Sequence, residues 1–108
     1  MDIDITLAEY EERLRRAQEW LGNRVLEDCK PHMPYRTGAL QNNSYTEDGG
    51  RRVVFDRPYA AELYNGVRPN GEPIHFSSPN ASPRWFEVAE SINREAWING
   101  VNEIVGGE

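Results

Sequence analysis

The sequence has few cysteines and histidines, the residues on which many metal sites and secreted domains depend. Its 108 residues include one cysteine, Cys29, and two histidines. A single cysteine excludes an intrachain disulfide, so stability cannot come from a disulfide framework. A zinc site needs about four ligands at paired spacing, which one cysteine and two histidines do not supply. We therefore predict no metal site, no cofactor and synthesis in a reducing cytoplasm.

Long apolar runs and a basic surface are also missing. No stretch approaches the roughly 18 apolar residues of a membrane span, and the acidic start Met1–Asp4 lacks the basic region of a signal peptide. The formal net charge is -6. Non-specific nucleic-acid binders usually present a basic face, because neutralising phosphates supplies most of their affinity. We predict neither membrane association nor specific binding to nucleic acid.

Helical periodicity is the strongest feature present. Thr6 and Glu9 have the spacing of a capping box. Apolar residues then recur at steps of three and four until Pro31 and Pro34 stop the pattern. This predicts a helix over 6–29. Its apolar stripe consists of Leu7, Tyr10, Leu14, Ala17, Leu21 and Val25.

A second long helix is predicted over 83–105. Ser82 is a suitable N-cap and Pro83 stands at the favoured first position. Apolar residues follow at helical spacing from Trp85 to Val105, and glycines end the pattern.

The middle of the chain predicts a β-hairpin over 43–56. Asp48-Gly49-Gly50 supplies turn chemistry between two short runs. Val53 and Phe55 are predicted to share one face, with Tyr45 and Asn43 across from them.

The segment between the hairpin and the last helix is less regular. Pro58 and Gly66 bracket a predicted short helix, with a strand as the alternative. The stretch 67–81 is rich in Pro, Gly, Asn and Ser and is predicted to be a loop, with a short strand at 73–76. A loop of this length in a small domain is more often a contact arm than a plain connection. The order of elements predicts one α+β domain over 1–108, with two long helices packed on a small antiparallel sheet.

Candidate catalytic residues are few. Cys29 and His32 are three apart and offer a nucleophile and a base in principle. A free cysteine at a helix end is more often a small core residue. His75 lies in the loop, where a histidine without a role is common. We predict that the protein is not an enzyme.

Aromatic residues crowd the second part of the chain. Trp85 and Phe86 are adjacent on one helix, so one of them points away from the stripe that buries the other. A helix that is apolar over a wide arc is usually covered by another layer or subunit. The predicted protein–protein interface comprises Tyr64, His75, Phe76, Trp85, Phe86 and Trp97.

The ordered motifs of the chain resemble those of a phage protein family. Pro34 to Leu40 is similar to the Pro-x-x-Thr-Gly-x-Leu signature of phage minor capsid, neck and tail-completion proteins. That family continues with a hairpin, a Pro-Tyr-Ala element, a variable loop and a final helix, and the likeness runs from about Leu14 to Val105. The positions that match its motifs are Pro34, Thr37, Gly38, Leu40, Pro58, Tyr59, Ala60, Glu62 and Gly66.

The resemblance implies a structural protein of the head–tail junction. Such proteins assemble as rings around the DNA channel, contact other neck or tail proteins and reach the virion from the bacterial host cytoplasm, with a monomer as the expected free form. The acidic charge departs from the basic surface common in the family. Two alternatives stay open: a tail-terminator ring protein, and an acidic module outside the virion that binds a basic protein partner.

Overall fold

Two long helices and a short hairpin form the framework of the protein. The computed structural model describes residues 1, 7–34, 38–76 and 79–106. The fold is α+β, as the sequence predicts. In chain order the elements are α1 (Leu7–Cys29), a 3-10 turn (Lys30–His32), α2 (Ala39–Asn42), β1 (Ser44–Glu47), a second 3-10 turn (Asp48–Gly50), β2 (Arg52–Phe55), α3 (Ala60–Asn65) and α4 (Trp85–Gly106).

Helix α1 ends at Cys29, where the sequence predicts its end. Pro31 lies within the 3-10 turn that follows, because its ring is incompatible with a continued α-helix. On the solvent side, Arg15 forms ion pairs with Glu12 and Glu19 at helical spacing. The predicted capping residue Thr6 lies outside the described residues.

The hairpin occupies its predicted place, but its register differs from the prediction. The turn contains four residues, 48–51, so Glu47 pairs with Arg52 rather than with the residue before it. Each pair is thereby shifted by one residue, and a shift of one reverses the faces of a strand. Tyr45 consequently lies opposite Val54, while Val53 and Phe55 face Thr46 and Ser44. The prediction that Tyr45 lies across from Val53 and Phe55 is wrong.

The two long helices pack against each other in antiparallel directions. The indole nitrogen of Trp97 on α4 donates a 2.6 Å hydrogen bond to the Asp28 carboxylate near the end of α1. Gly100, three residues further along α4, lies against the ring of Trp20, eight residues earlier in α1. The core lies between these helices and the elements at one end of them. Its buried residues are Cys29, Met33, Leu40, Ala60, Trp85, Ala89 and Trp97.

The hairpin packs on α1 through a close contact between the backbones of Gly22 and Gly50. A Cβ added to Gly22 would lie only 2.6 Å from the Gly50 Cα. Gln18, one helical turn earlier, donates a 3.0 Å hydrogen bond from its side-chain amide to the Gly50 carbonyl. Only a residue without a side chain allows contact this close.

Helix α3 ends as predicted, whereas α4 begins later than predicted. Gly66 ends α3 in the left-handed region, with φ 75°. Pro83 and Arg84 form a turn, and α4 begins at Trp85. The reason is that Arg84 has a φ of 55° and donates its backbone N–H to the Tyr64 carbonyl, which lies outside the helix. The predicted N-cap Ser82 instead donates its hydroxyl to the Pro83 carbonyl.

Backbone hydrogen bonds stabilise the start of the loop after α3. Val67 and Pro73 form an isolated antiparallel bridge, and Arg68 donates its backbone N–H to the Glu72 carbonyl at 2.8 Å. The predicted strand at 73–76 does not form, since Pro73 makes only this one bridge and the three residues after it have no regular structure. The loop that the sequence predicts is present in the described residues.

Candidate interaction surface

A mainly apolar groove lies where α1, the hairpin, α3 and the start of α4 meet. Its volume is about 640 Å³. Leu21 and Val25 of α1 form one side, and Tyr64 and Phe86 belong to the other elements around it. Arg51 is the one charged residue in its lining, which consists of Gln18, Leu21, Gly22, Val25, Gly50, Arg51, Val53, Phe55, Ala60, Ala61, Tyr64, Asn65, Trp85 and Phe86.

Trp85 is central to the wall of this groove. Its side chain is completely buried and makes edge-to-face contacts with Phe55 and Tyr64, with ring centroids 5.4 and 4.8 Å away. Among the described residues, its indole nitrogen has no hydrogen-bond partner. A buried donor without an acceptor costs about 1–3 kcal/mol. The groove is therefore lined mainly by apolar side chains, and the unpaired indole nitrogen of Trp85 is buried rather than exposed in it.

The chemistry of Cys29 does not support a nucleophile. The thiol, at the end of α1, is completely buried in the core. Desolvation, with a smaller contribution from the charge of Asp28, raises the pKa of Cys29 to about 12. Since the thiolate is the reactive form, this thiol is inert at neutral pH. The structure therefore places Cys29 in the core, the alternative that the sequence favours.

The described part of the chain contains neither a cluster of metal-ligating side chains nor a membrane-spanning helix. No three His, Cys, Asp or Glu side chains lie close enough together there to hold a metal ion. None of its helices combines the length and the apolar composition that crossing a bilayer requires. What the described surface does offer is apolar area for contact with another molecule.

The residues predicted to form an interface are divided by the fold. Trp85 and Trp97 lie in the core, with 0% and 6% of their surface exposed, so neither ring is available on the surface. Both are buried because they lie on the side of α4 that packs against the rest of the domain. Tyr64 and Phe86 are half-buried and line the groove, where Phe86 also stacks on Trp97. In the loop, His75 is exposed and Phe76 is half-buried.

The positions of the family motifs serve mainly the turns and the core. Gly38 precedes α2 with a φ of 78°, and Leu40 and Ala60 are buried. Pro34 and Gly66 are half-buried, and Gly66 ends α3. Thr37 lies outside the described residues. The remaining motif positions are exposed: Pro58 and Tyr59 lie just before α3, and Glu62 lies within it.

Sequence reasoning missed two features of this surface. It grouped the apolar residues of α1 into one stripe and did not show that part of it stays exposed, yet Leu7, Tyr10 and Leu14 are 71%, 49% and 43% exposed. It also did not find the groove, because the groove is formed by residues from four separate elements. The signal available for the stripe was its length, since a stripe of 19 residues, from Leu7 to Val25, exceeds what a small hairpin covers.

Comparison with known proteins identifies the family. A family model described as minor capsid protein matches residues 4–103. Searches of curated proteins and of solved structures return no match. The match covers nearly the whole sequence, so the chain belongs to the minor capsid protein family, which supplies structural components of the phage virion.

Proposed function

We propose that this family member acts at the head–tail junction, as a neck or tail-completion protein. In this proposal it joins the DNA-filled head to the tail through contacts with other neck or tail proteins. It is monomeric when free and forms a ring around the DNA channel in the virion. The ordered motifs from Pro34 to the final helix support this position in the virion, because they resemble those of neck and tail-completion proteins.

Two surfaces support an assembly role: the groove, and the exposed part of the apolar stripe of α1. The groove of about 640 Å³ is lined by apolar and aromatic side chains with a single charged residue. Leu7, Tyr10 and Leu14 present further apolar surface at the other end of the helix. Exposed apolar surface on this scale in a small protein marks sites of protein–protein contact.

The loop Val67–Ala81 is proposed as an arm that reaches a neighbouring subunit. Every described residue from Val67 to Gly71 is exposed, and the bridge between Val67 and Pro73 gives this part a defined shape. Shortening the loop while keeping that bridge should leave the domain folded but reduce joining of heads to tails. Normal joining with the shortened loop would rule out the arm.

Deletion of the gene directly tests the proposed role at the head–tail junction. Electron microscopy of lysates from the deleted phage should show DNA-filled heads beside separate tails of normal length. Tails of abnormal length would instead indicate a tail-terminator protein, which ends tube growth. Normal joined particles would contradict a junction role, and restoring the gene from a plasmid controls for effects on its neighbours.

A further inference from the structure

The turn before α4 holds a backbone conformation that its residues disfavour. Arg84 is exposed and has a φ of 55°. In this left-handed region the Cβ crowds the carbonyl oxygen, which is unfavourable for most residues other than glycine. Arginine also lacks the short polar side chain that lets asparagine and aspartate adopt this region. The strain at Arg84 must therefore be offset by contacts elsewhere in the domain.

Two backbone hydrogen bonds to other elements supply this offset. Arg84 donates its N–H to the Tyr64 carbonyl in α3 at 2.8 Å. Ser82 donates its N–H to the His32 carbonyl in the 3-10 turn after α1 at 3.0 Å. The turn is thus fastened to two separate parts of the domain, and the chain before Ser82 is held with it.

The same residues carry a helix start that the observed structure does not use. Ser82 belongs to the preferred N-cap residues, and Pro83 follows it at the favoured first helical position. The Ser82 hydroxyl instead donates to the Pro83 carbonyl, and α4 begins at Trp85. Arg84 takes the cap position, since its carbonyl accepts the N–H of Val88 at 3.1 Å. Arginine is not among the favoured N-cap residues.

A rotation at Arg84 would bring the unused start into play. Changing its φ from 55° to a helical value rotates the preceding chain by roughly 120° and lets α4 begin at Pro83. The Arg84 N–H then becomes the second amide of the helix and reaches the Ser82 hydroxyl oxygen instead of the Tyr64 carbonyl. The longer helix relieves the strain and gains further backbone hydrogen bonds, whereas the two bonds to other elements are lost.

We propose that Ser82, Pro83 and Arg84 form a latch with two conformations. The closed form is the observed structure. In the open form α4 begins at Pro83, and the chain before Ser82 is released from His32. A neighbouring subunit that contacts only the released loop shifts the equilibrium towards the open form. The latch rests on the proposed function for the use of the loop as an arm, while its two forms are measurable in the free chain.

A pair of substitutions at Arg84 tests the latch. Arg84→Gly and Arg84→Ala both remove the side chain and its ion pair with Glu87. Glycine relieves the positive φ of the closed form, whereas alanine favours the helix of the open form. Both differences act in the same direction. The ratio of open to closed molecules should therefore be about tenfold or more higher in the alanine variant.

Hydrogen exchange at the Ser82 amide, followed by NMR in the full-length chain, measures this ratio. The bond from this amide to His32 exists only in the closed form, so its exchange rate follows the open fraction. Exchange should be about tenfold or more faster in Arg84→Ala than in Arg84→Gly. The amide of Ala89, a buried residue of α4, reports global unfolding and should change much less. Equal factors at the two amides would overturn the proposal.

Asp48 provides the matched control. It is the other described non-glycine residue with a positive φ, 54°, and it lies in the hairpin turn. Asp48→Gly and Asp48→Ala differ in backbone strain in the same way but do not alter the latch. The exchange rate at Ser82 relative to Ala89 should be equal in these two variants. A difference as large as that of the Arg84 pair would contradict the proposal.

Substitutions at Ser82 distinguish a longer helix from simple fraying of the turn. Ser82→Asp and Ser82→Ala both remove the hydroxyl that donates to Pro83, and only aspartate is able to cap the open form. Exchange at amide 82, corrected for the intrinsic rates of the two residues, should be about fivefold faster with aspartate. Equal corrected rates would show fraying without a new helix start and would refute the latch.

The latch and the junction role fail in different ways. An open form in the free chain, together with normally joined particles after gene deletion, would remove the junction role and keep the latch. Separated heads and tails without an open form would do the reverse.

Discussion

The indole nitrogen of Trp97 and the carboxylate of Asp28 join α4 to α1 through a 2.6 Å hydrogen bond between residues 69 positions apart. Asp28 also pairs with Arg24 one turn earlier, at 3.3 Å. Hydrogen bonds to charged groups are stronger than those between neutral groups. This link is therefore the main polar connection between the two helices that we observe.

Trp97→Phe should destabilise the domain by about 2–4 kcal/mol, since it removes the hydrogen bond to a charged group and leaves a small cavity. Asp28→Asn keeps an acceptor and should cost less. Urea denaturation of both single variants and the double variant forms a cycle that isolates the contribution of the Asp28 charge to this bond. Strictly additive losses would show that the charge contributes nothing.

Gly22→Ala should destabilise the protein although alanine favours helices by about 1 kcal/mol. The new Cβ would collide with the backbone of Gly50, which cannot move without displacing the hairpin. Overpacking of this kind costs about 1–3 kcal/mol or more. Gly106→Ala is the matched control, because nothing lies within 4 Å of its added Cβ. Thermal unfolding should show a loss for Gly22→Ala only.

Gly66→Ala should cost more stability than Gly71→Ala. Both glycines have positive φ, 75° and 87°, so each substitution strains the backbone by about 1 kcal/mol. Only at Gly66 does the added Cβ also meet a neighbour, the Pro83 side chain at 2.9 Å. Equal melting temperatures for the two variants would show that the contact between the α3 end and the turn before α4 is loose.

Burial of Cys29 should make stability depend on pH in the alkaline range. The folded pKa is about 12 and the ordinary value is 9.0. Above pH 9 the unfolded thiol loses its proton while the folded thiol keeps it, so unfolding becomes easier. The free energy of unfolding should thus be unaffected by this group below pH 9 and fall by about 1 kcal/mol per unit above it.

Cys29→Ala serves as the control for this prediction, because it removes the titrating group. Its stability should decline less steeply between pH 9 and 11 than that of the wild type, measured by urea denaturation at each pH. Parallel curves would indicate that the thiol is hydrated in the folded state.

Elements that depend on local sequence were predictable. The period of the apolar residues and the two prolines located α1 and its end at Cys29, and Gly66 located the end of α3. The hairpin was found from its turn residues. Its register was not, because a turn of three residues and a turn of four are both compatible with Asp48-Gly49-Gly50-Arg51.

Contacts between distant residues explain the other differences. The start of α4 depends on the hydrogen bond of Arg84 to Tyr64, which no local pattern signals. Trp85 and Trp97 are buried because other elements cover that side of α4. An aromatic residue in a sequence shows that apolar area exists, and only the packing shows whether the domain itself uses it.

The amino-acid sequence by itself determined the class of the fold, the position of α1, the end of α3, the place of the hairpin and the resemblance to phage junction proteins. These follow from periodicity and turn chemistry, which are properties of neighbouring residues. The tertiary structure alone decided that Leu21 and Val25 line a groove while Leu7, on the same face of α1, is exposed. The physical reason is that burial of a helix face depends on which elements pack against it, and the buried residues of α1 begin at Ala17.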